Sequence, residues 1–190
     1  RQTLYGMLGE VDAIHRNVAT IEDPVEYSLP LIRQSQVEPA AGFNFSDGLR
    51  ALLRQDPDVI LVGEIRDYET ANMAVKAAMT GHLVLSTLHT NTAIGAIPRL
   101  IDLGIAPYLV DDALIGVLAQ RLVRKVCESC GVPVDGTEEE VRWLDGETGE
   151  MHRGPGCEDC GKTGLNGRTV INELFLPNDA IGEVVRDGAD

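Results

Sequence analysis

The chain has little that would suit a membrane span or a nucleic-acid surface. Among its 190 residues, no apolar run approaches the roughly 20 needed to cross a bilayer as a helix. It does not open with the pattern of a secretory signal peptide. Basic residues are scarce: 16 Lys and Arg stand against 30 Asp and Glu, a net charge of −14. Nucleic-acid surfaces normally carry a basic patch, so direct binding to nucleic acid is not expected. The acidic excess reads as a solvated exterior. A cytoplasmic protein is expected, one that could still dock on a membrane through a partner. What is present is a hydrophobic fraction of 44%, enough for one substantial α/β core and a small appendage.

Two runs carry most of the chemical information. In the first, from Asp56 to Arg66, the apolar stretch Val59 to Val62 ends abruptly in Gly63, Glu64 and Arg66. In the second, Leu83 to Leu85 leads to Ser86, Thr87 and His89. In open parallel sheets, ligands bind outside the carboxyl ends of the strands. Two strands tipped with ionisable groups therefore point to one polar site.

Around these runs the pattern alternates. Arg1 to Leu8 reads as the inside of a helix, with Leu4, Met7 and Leu8 at helical spacing. Asn17 to Ile21 reads as a strand ending in the acidic cluster Glu22, Asp23 and Glu26, which Pro24 forces into a loop. Residues 28–45 show little periodicity and suggest short strands around Gln34 to Val37. Ser46 is the expected cap of a helix carrying Leu49, Leu52 and Leu53. Asp67 should cap the next, with Ala71, Ala74, Val75 and Ala78 inward and Gly81 as its stop. A strand over 83–88, a helix from about Asn91 to Leu103 and a longer helix across Pro107 to Val126 come next. Strands alternating with helices imply a parallel sheet with covered faces.

From Cys127 to Gly167 apolar residues thin out and Glu138, Glu139 and Glu140 form a charge run, marking a second unit over 127–168. Residues 169–190 read as a strand rejoining the body, then a short helix capped by Asn178 or Asp179. All four cysteines fall in two CxxC pairs, Cys127 with Cys130 and Cys157 with Cys160. Each pair lets one turn aim two thiolates at a common point, and two turns complete a tetrahedral zinc site with none left over. A reducing cytosol argues against disulfides. Four protein ligands leave no open position, so this zinc is expected to be structural.

Thr20 to Tyr27, Gly48 to Asp67, Thr80 to Asn91, Gly116 to Arg124, the paired CxxC and Gly164 to Arg168 together resemble the type II secretion and type IV pilus assembly ATPases. The resemblance covers nearly the whole chain and is weakest across 132–155. It implies a RecA-like P-loop NTPase core over residues 1–126, an α/β fold with a mostly parallel sheet and helices on both faces. It also implies a homo-hexamer at the inner membrane that hydrolyses ATP with Mg2+ to drive pilus or pseudopilus assembly, working with membrane platform and accessory proteins. By resemblance, Glu22, Asp23 and Glu26 match the aspartate box, with Glu26 as general base. Glu64 matches the Walker B glutamate that helps organise magnesium and water. His82 and His89 match the histidine box, with His89 near the γ-phosphate. Arg50, Arg54 and Arg66 are candidates for charge support, within a subunit or across an interface.

One element of the family is missing: no GxxxxGK[ST] loop, whose amides and lysine hold phosphates, occurs in the 190 residues. Thr3 to Tyr5 matches the family's segment immediately after that loop, which puts Arg1 where the family usually has its magnesium-binding Ser or Thr. The chain by itself is therefore expected to bind ATP poorly and hydrolyse little. Two other readings stand beside the motor: a zinc-ribbon scaffold on an inert P-loop remnant, and the motor of a DNA-uptake system.

Overall fold

The computed structural model describes residues 2–144 and 150–188, which divide into two compact units, 1–119 with 174–190, and 120–173. Arg1, the position matched to the magnesium-binding Ser or Thr, lies outside the described residues.

The first unit is built on a four-stranded parallel sheet. Its strands are β1 (Val18–Glu22), β2 (Arg33–Gln36), β3 (Val59–Val62) and β4 (Leu83–Ser86), in the order β2-β1-β3-β4. Helix α1 (Gln2–Gly9) precedes β1, α2 (Phe45–Leu53) joins β2 to β3, and α3 (Tyr68–Met79) joins β3 to β4. Then come α4 (Ala96–Asp102) and α5 (Pro107–Ala113).

Side chains alternate across the pleat, so one strand feeds two cores. Val18, Val59, Leu61 and Leu85 pack with Leu8 of α1. Ala19, Ile21, Ile60 and Val62 face the opposite way, onto Leu49 and Leu52 of α2, Ala71, Ala74 and Val75 of α3, and Leu100 of α4. β1 and β3 are buried at every position, as strands covered on both faces must be. Each aliphatic side chain so buried contributes roughly 1.5–3 kcal/mol.

Helix ends follow local chemistry. Asp67 accepts the amide of Thr70 and caps α3, as its sequence position suggests. At the other end, Gly81 adopts φ 97, and the amide of His82 reaches the carbonyl of Ala77. That left-handed stop is cheap only for glycine. Helix α2 differs from expectation. Its cap is Asn44, which accepts the amide of Asp47, while Ser46 lies inside the first turn and donates to Asn44 Oδ1.

Two larger differences lie downstream. The helix expected from Asn91 begins only at Ala96, because Thr92 Oγ1 accepts the amide of Gly95 and Thr90 donates to the Thr92 carbonyl. Such side-chain turns compete with helix. The long helix expected across Pro107 to Val126 ends at Ala113, and Val117–Val126 is strand β5. Its valines favour extended backbone, and β5 pairs with β8 (Leu165–Phe175).

The second unit contains most of β5 and β8, the antiparallel pair β6 (Val132–Val134) and β7 (Met151–Arg153), and the short helix α6 (Glu138–Trp143). Thr137 and Glu140 cap α6 reciprocally, and Arg153 holds Glu140 by two contacts of 2.6 Å. Helix α7 (Asp179–Arg186), in the first unit, is capped by Asn178.

Candidate active site and thiol cluster

Because all four strands of the sheet run the same way, their polar tips collect along one edge. β1 ends in Glu22, β3 runs into Gly63 and Glu64, and β4 runs into Thr87 and His89.

Gly63 lets β3 approach β1 closely: its amide donates to the Ile21 carbonyl at 2.8 Å, and a Cβ would stand 3.3 Å from Glu22 Cα. Thr87 Oγ1 donates to the Gly63 carbonyl at 2.7 Å, and the amide of Ile65 donates to the Thr87 carbonyl at 3.0 Å. Glu64 is thus fixed between the ends of β3 and β4. It is only 4% exposed, and its Oε2 receives Arg66 Nε at 2.5 Å and lies 3.3 Å from His89 Nε2. A buried carboxylate needs such partners, since desolvation alone would cost several kcal/mol. Arg66 and His89 are mostly exposed and can move or exchange partners.

Glu22 is buried more deeply, at 2% exposure. Its Oε2 accepts from the Tyr5 hydroxyl, and its Oε1 accepts from Thr20 Oγ1 at 2.6 Å and Gln34 Nε2 at 3.2 Å. Asp23 and Glu26 lie just beyond it in an exposed loop. The Tyr5 hydroxyl also accepts the backbone amide of Glu26 at 3.2 Å. Burial, then the bond to Glu22, holds the Tyr5 phenol above its ordinary pKa.

The edge therefore brings together Glu64, Arg66 and His89, with Glu22, Asp23 and Glu26 at the neighbouring strand end. His82 is not part of this group within the chain. It stands at the other end of β4, where its Nδ1 lies 2.9 Å from the Ala77 carbonyl, a position that complements the C-terminus of α3. Arg50 is exposed and pairs with Glu69 at 2.9 Å and Asp47 at 3.7 Å. Arg54 ends α2, also exposed. Tyr5, Thr20 and Gln34 carry no sequence signal for a hydrogen-bonding role at the site, whereas Thr87 stands at the polar tip of the second run. Tyr5 lies within an apolar helical stripe, and nothing local to it marks a bond to a residue 17 positions away.

In the second unit the four cysteines converge, their sulfur atoms all within 4.8 Å of one another. Cys127 and Cys157 stand 3.8 Å apart, Cys130 and Cys160 3.9 Å, and Cys157 and Cys160 3.7 Å. Zinc–thiolate bonds of about 2.3 Å in a tetrahedron require sulfur separations of about 3.8 Å. The donor set and its spacing fit zinc. The amides of Cys157 and Gly164 donate to Cys160 Sγ at 3.1 and 3.2 Å. These bonds, the Cys157 amide first, lower the Cys160 thiol to about 6, whereas desolvation pushes Cys130 up to about 12. Backbone donors to a sulfur are the outer contacts that orient a thiolate toward a metal.

The architecture is similar to that of two solved structures. It is similar to the pilus retraction motor PilT with bound ADP, at 34% identity and a TM-score of 0.62, over 91% of this chain and 42% of that one. It is also similar to the Legionella pneumophila ATPase DotB, at 25% identity and a TM-score of 0.63, over 97% of this chain and 44% of that one. Residues 2–190 match the family model described as type II/IV secretion system protein, and the chain belongs to that family. Among curated relatives it is 50% identical to the type II secretion system ATPase E of Vibrio cholerae, across 98% of this chain and 38% of the relative. It is equally 50% identical to the type IV pilus assembly ATPase PilB of Thermus thermophilus, across 98% of this chain and 22% of the relative. The chain thus spans well under half the length of these relatives.

Proposed function

We propose that the chain is the carboxyl part of a motor ATPase that hydrolyses ATP to drive pilus or pseudopilus assembly and protein export. The observation that carries this reading is the buried Glu64, fixed at a strand end and sharing one oxygen with Arg66 and His89. Phosphoryl transfer asks for charge stabilisation and for one group that orients or deprotonates water. Carboxylate oxygens are also the donors that suit magnesium, whose chemical contribution when bound with ATP is to neutralise phosphate charge.

In this reading Glu64 would orient water and help hold magnesium, and Arg66 would supply mobile positive charge. His89, exposed and within reach of Glu64, faces the terminal phosphate. Glu26 takes the proton of the attacking water from its exposed loop. Glu22 and Asp23 shape that loop. Both oxygens of Glu22 already receive hydrogen bonds within the chain, so it serves by position. His82 and Arg50, whose contacts within one chain are with other groups, and Arg54 would act across a subunit interface of a homo-hexamer. Cys127, Cys130, Cys157 and Cys160 hold a structural zinc. No helix among the described residues is long and apolar enough to cross a membrane. In this reading the motor works in the cytoplasm and meets the inner membrane through platform and accessory proteins.

The test is steady-state ATP hydrolysis by the full-length protein, with magnesium and over a range of protein concentrations. Turnover per subunit that rises with concentration supports a ring-forming motor. Absence of both turnover and nucleotide binding, with tight binding to a membrane platform protein retained, would favour an inert zinc-held scaffold. The 190 residues alone, which contain no GxxxxGK[ST] loop, should hydrolyse little ATP.

A further inference from the structure

A buried hydrogen-bond hub lies beneath the acidic loop, and its tyrosine has no role assigned above. At its centre is the hydroxyl of Tyr5, a residue only 3% exposed. The hydroxyl donates to Glu22 Oε2 and accepts from the amide of Glu26 at 3.2 Å and from Gln34 Nε2 at 3.3 Å. Gln34 Nε2, on β2, also lies 3.2 Å from Glu22 Oε1 and from the Tyr27 carbonyl, its two N–H groups shared among the three acceptors. The Tyr27 ring meets the Tyr5 ring edge-on, with centroids 4.7 Å apart. One phenol therefore ties α1 to the end of β1, to the backbone of residue 26 and to β2.

We propose that Tyr5 is a positioning residue for the hydrolytic site: its hydroxyl fixes the segment 22–26 so that the Glu26 side chain meets the attacking water in a constant place. The inference rests on the role given to Glu26 above. The chemistry favours tyrosine specifically. A phenol donates one bond while accepting others, and here it donates to the buried carboxylate and accepts the backbone amide that leads into Glu26. Phenylalanine would keep the edge-on ring contact with Tyr27 but would remove the hydrogen bonds to Glu22 Oε2 and from the Glu26 amide. Unmade bonds of buried groups are costly, so the loop would rearrange. Effects on catalysis of this kind appear in kcat, because the geometry of the reacting groups is disturbed while the contacts that bind nucleotide are not.

The experiment uses the full-length protein and compares wild type, Tyr5→Phe, Glu26→Gln and the double variant, with kcat, KM for ATP and melting temperature measured for each. Tyr5→Phe is expected to lower kcat about tenfold with KM within about twofold, at a temperature where the variant remains folded. On the Glu26→Gln background it should have no further effect, because the group it positions is gone. Gln34→Leu reaches the same hub from β2 and should lower kcat by a smaller factor, which keeps the test available should Tyr5→Phe fold poorly. Wild-type kcat in both Tyr5→Phe and Gln34→Leu, or a loss that merely multiplies with that of Glu26→Gln, would overturn the inference while leaving the motor intact. Wild-type turnover in Glu26→Gln would remove the general-base assignment and the inference together.

Discussion

The two units are held together by different means. In the first, two aliphatic layers enclose the sheet, and Val59, Ile60 and Val62 have no accessible surface at all. In the second, the buried positions among the described residues are Cys127 and Gly164. One unit excludes water around a sheet. The other gathers four thiols and leaves most of its apolar side chains partly wet; on the proposed zinc reading, a metal would make up for its small core. The polar site lies in the first unit, where rigid strand ends can hold a buried glutamate in place.

The largest effect should come from removing the proposed metal. Chelation, or Cys160→Ser, is expected to abolish hydrogen-exchange protection across 127–164 while strands β1 to β4 keep theirs. Structural zinc contributes on the order of 10–16 kcal/mol in small metal-dependent folds, more than any one core side chain. Unchanged protection in the second unit after full chelation would show that it folds without metal.

The converse substitution is Ile60→Ala in β3, at a position with 0% exposure. It should destabilise the first unit by about 2–5 kcal/mol in denaturant unfolding and leave the thiol cluster's metal affinity unchanged. A loss under about 1 kcal/mol would contradict the close packing of that sheet face.

The smallest effect is one of pH. The Tyr5 pKa is raised in the folded state, by burial first and then by its bond to Glu22. Above the ordinary value of 10.0, the unfolded chain releases this proton while the folded one keeps it. The unfolded state then binds fewer protons, so stability falls as pH rises. The contribution is complete below the ordinary value and is lost as pH climbs through the raised one. Comparison of wild type with Tyr5→Phe in alkaline unfolding isolates this contribution: the variant should show a shallower decline, and identical slopes would contradict it.

Much of this was legible in the sequence, and the reason is physical. Val59 to Val62 and Leu83 to Leu85 form apolar runs of strand length that end in polar groups, so strand, direction and site edge could be read together. Asp67 and Gly81 carry their helix signals locally, as does each CxxC pair. The failures share a different cause. Val117 to Val126 contains good helix formers, yet its structure is set by pairing with Leu165–Phe175, some 50 residues downstream. Ser46 and Asn44 are both good caps, and which one serves depends on where the first turn begins. The Tyr5 hub was invisible because its bonds join residues from three elements, and His82 and His89 look alike in sequence while sitting at opposite ends of one strand.

The most direct measurement of the central claim is ATP turnover by the full-length protein beside its Glu64→Gln variant, with nucleotide binding measured for both. The substitution keeps the shape of a side chain that is 4% exposed and removes its charge. Binding is expected to stay within severalfold and turnover to fall by at least about a hundredfold. Turnover near the wild-type rate in Glu64→Gln would contradict the assignment of this strand end as the hydrolytic site.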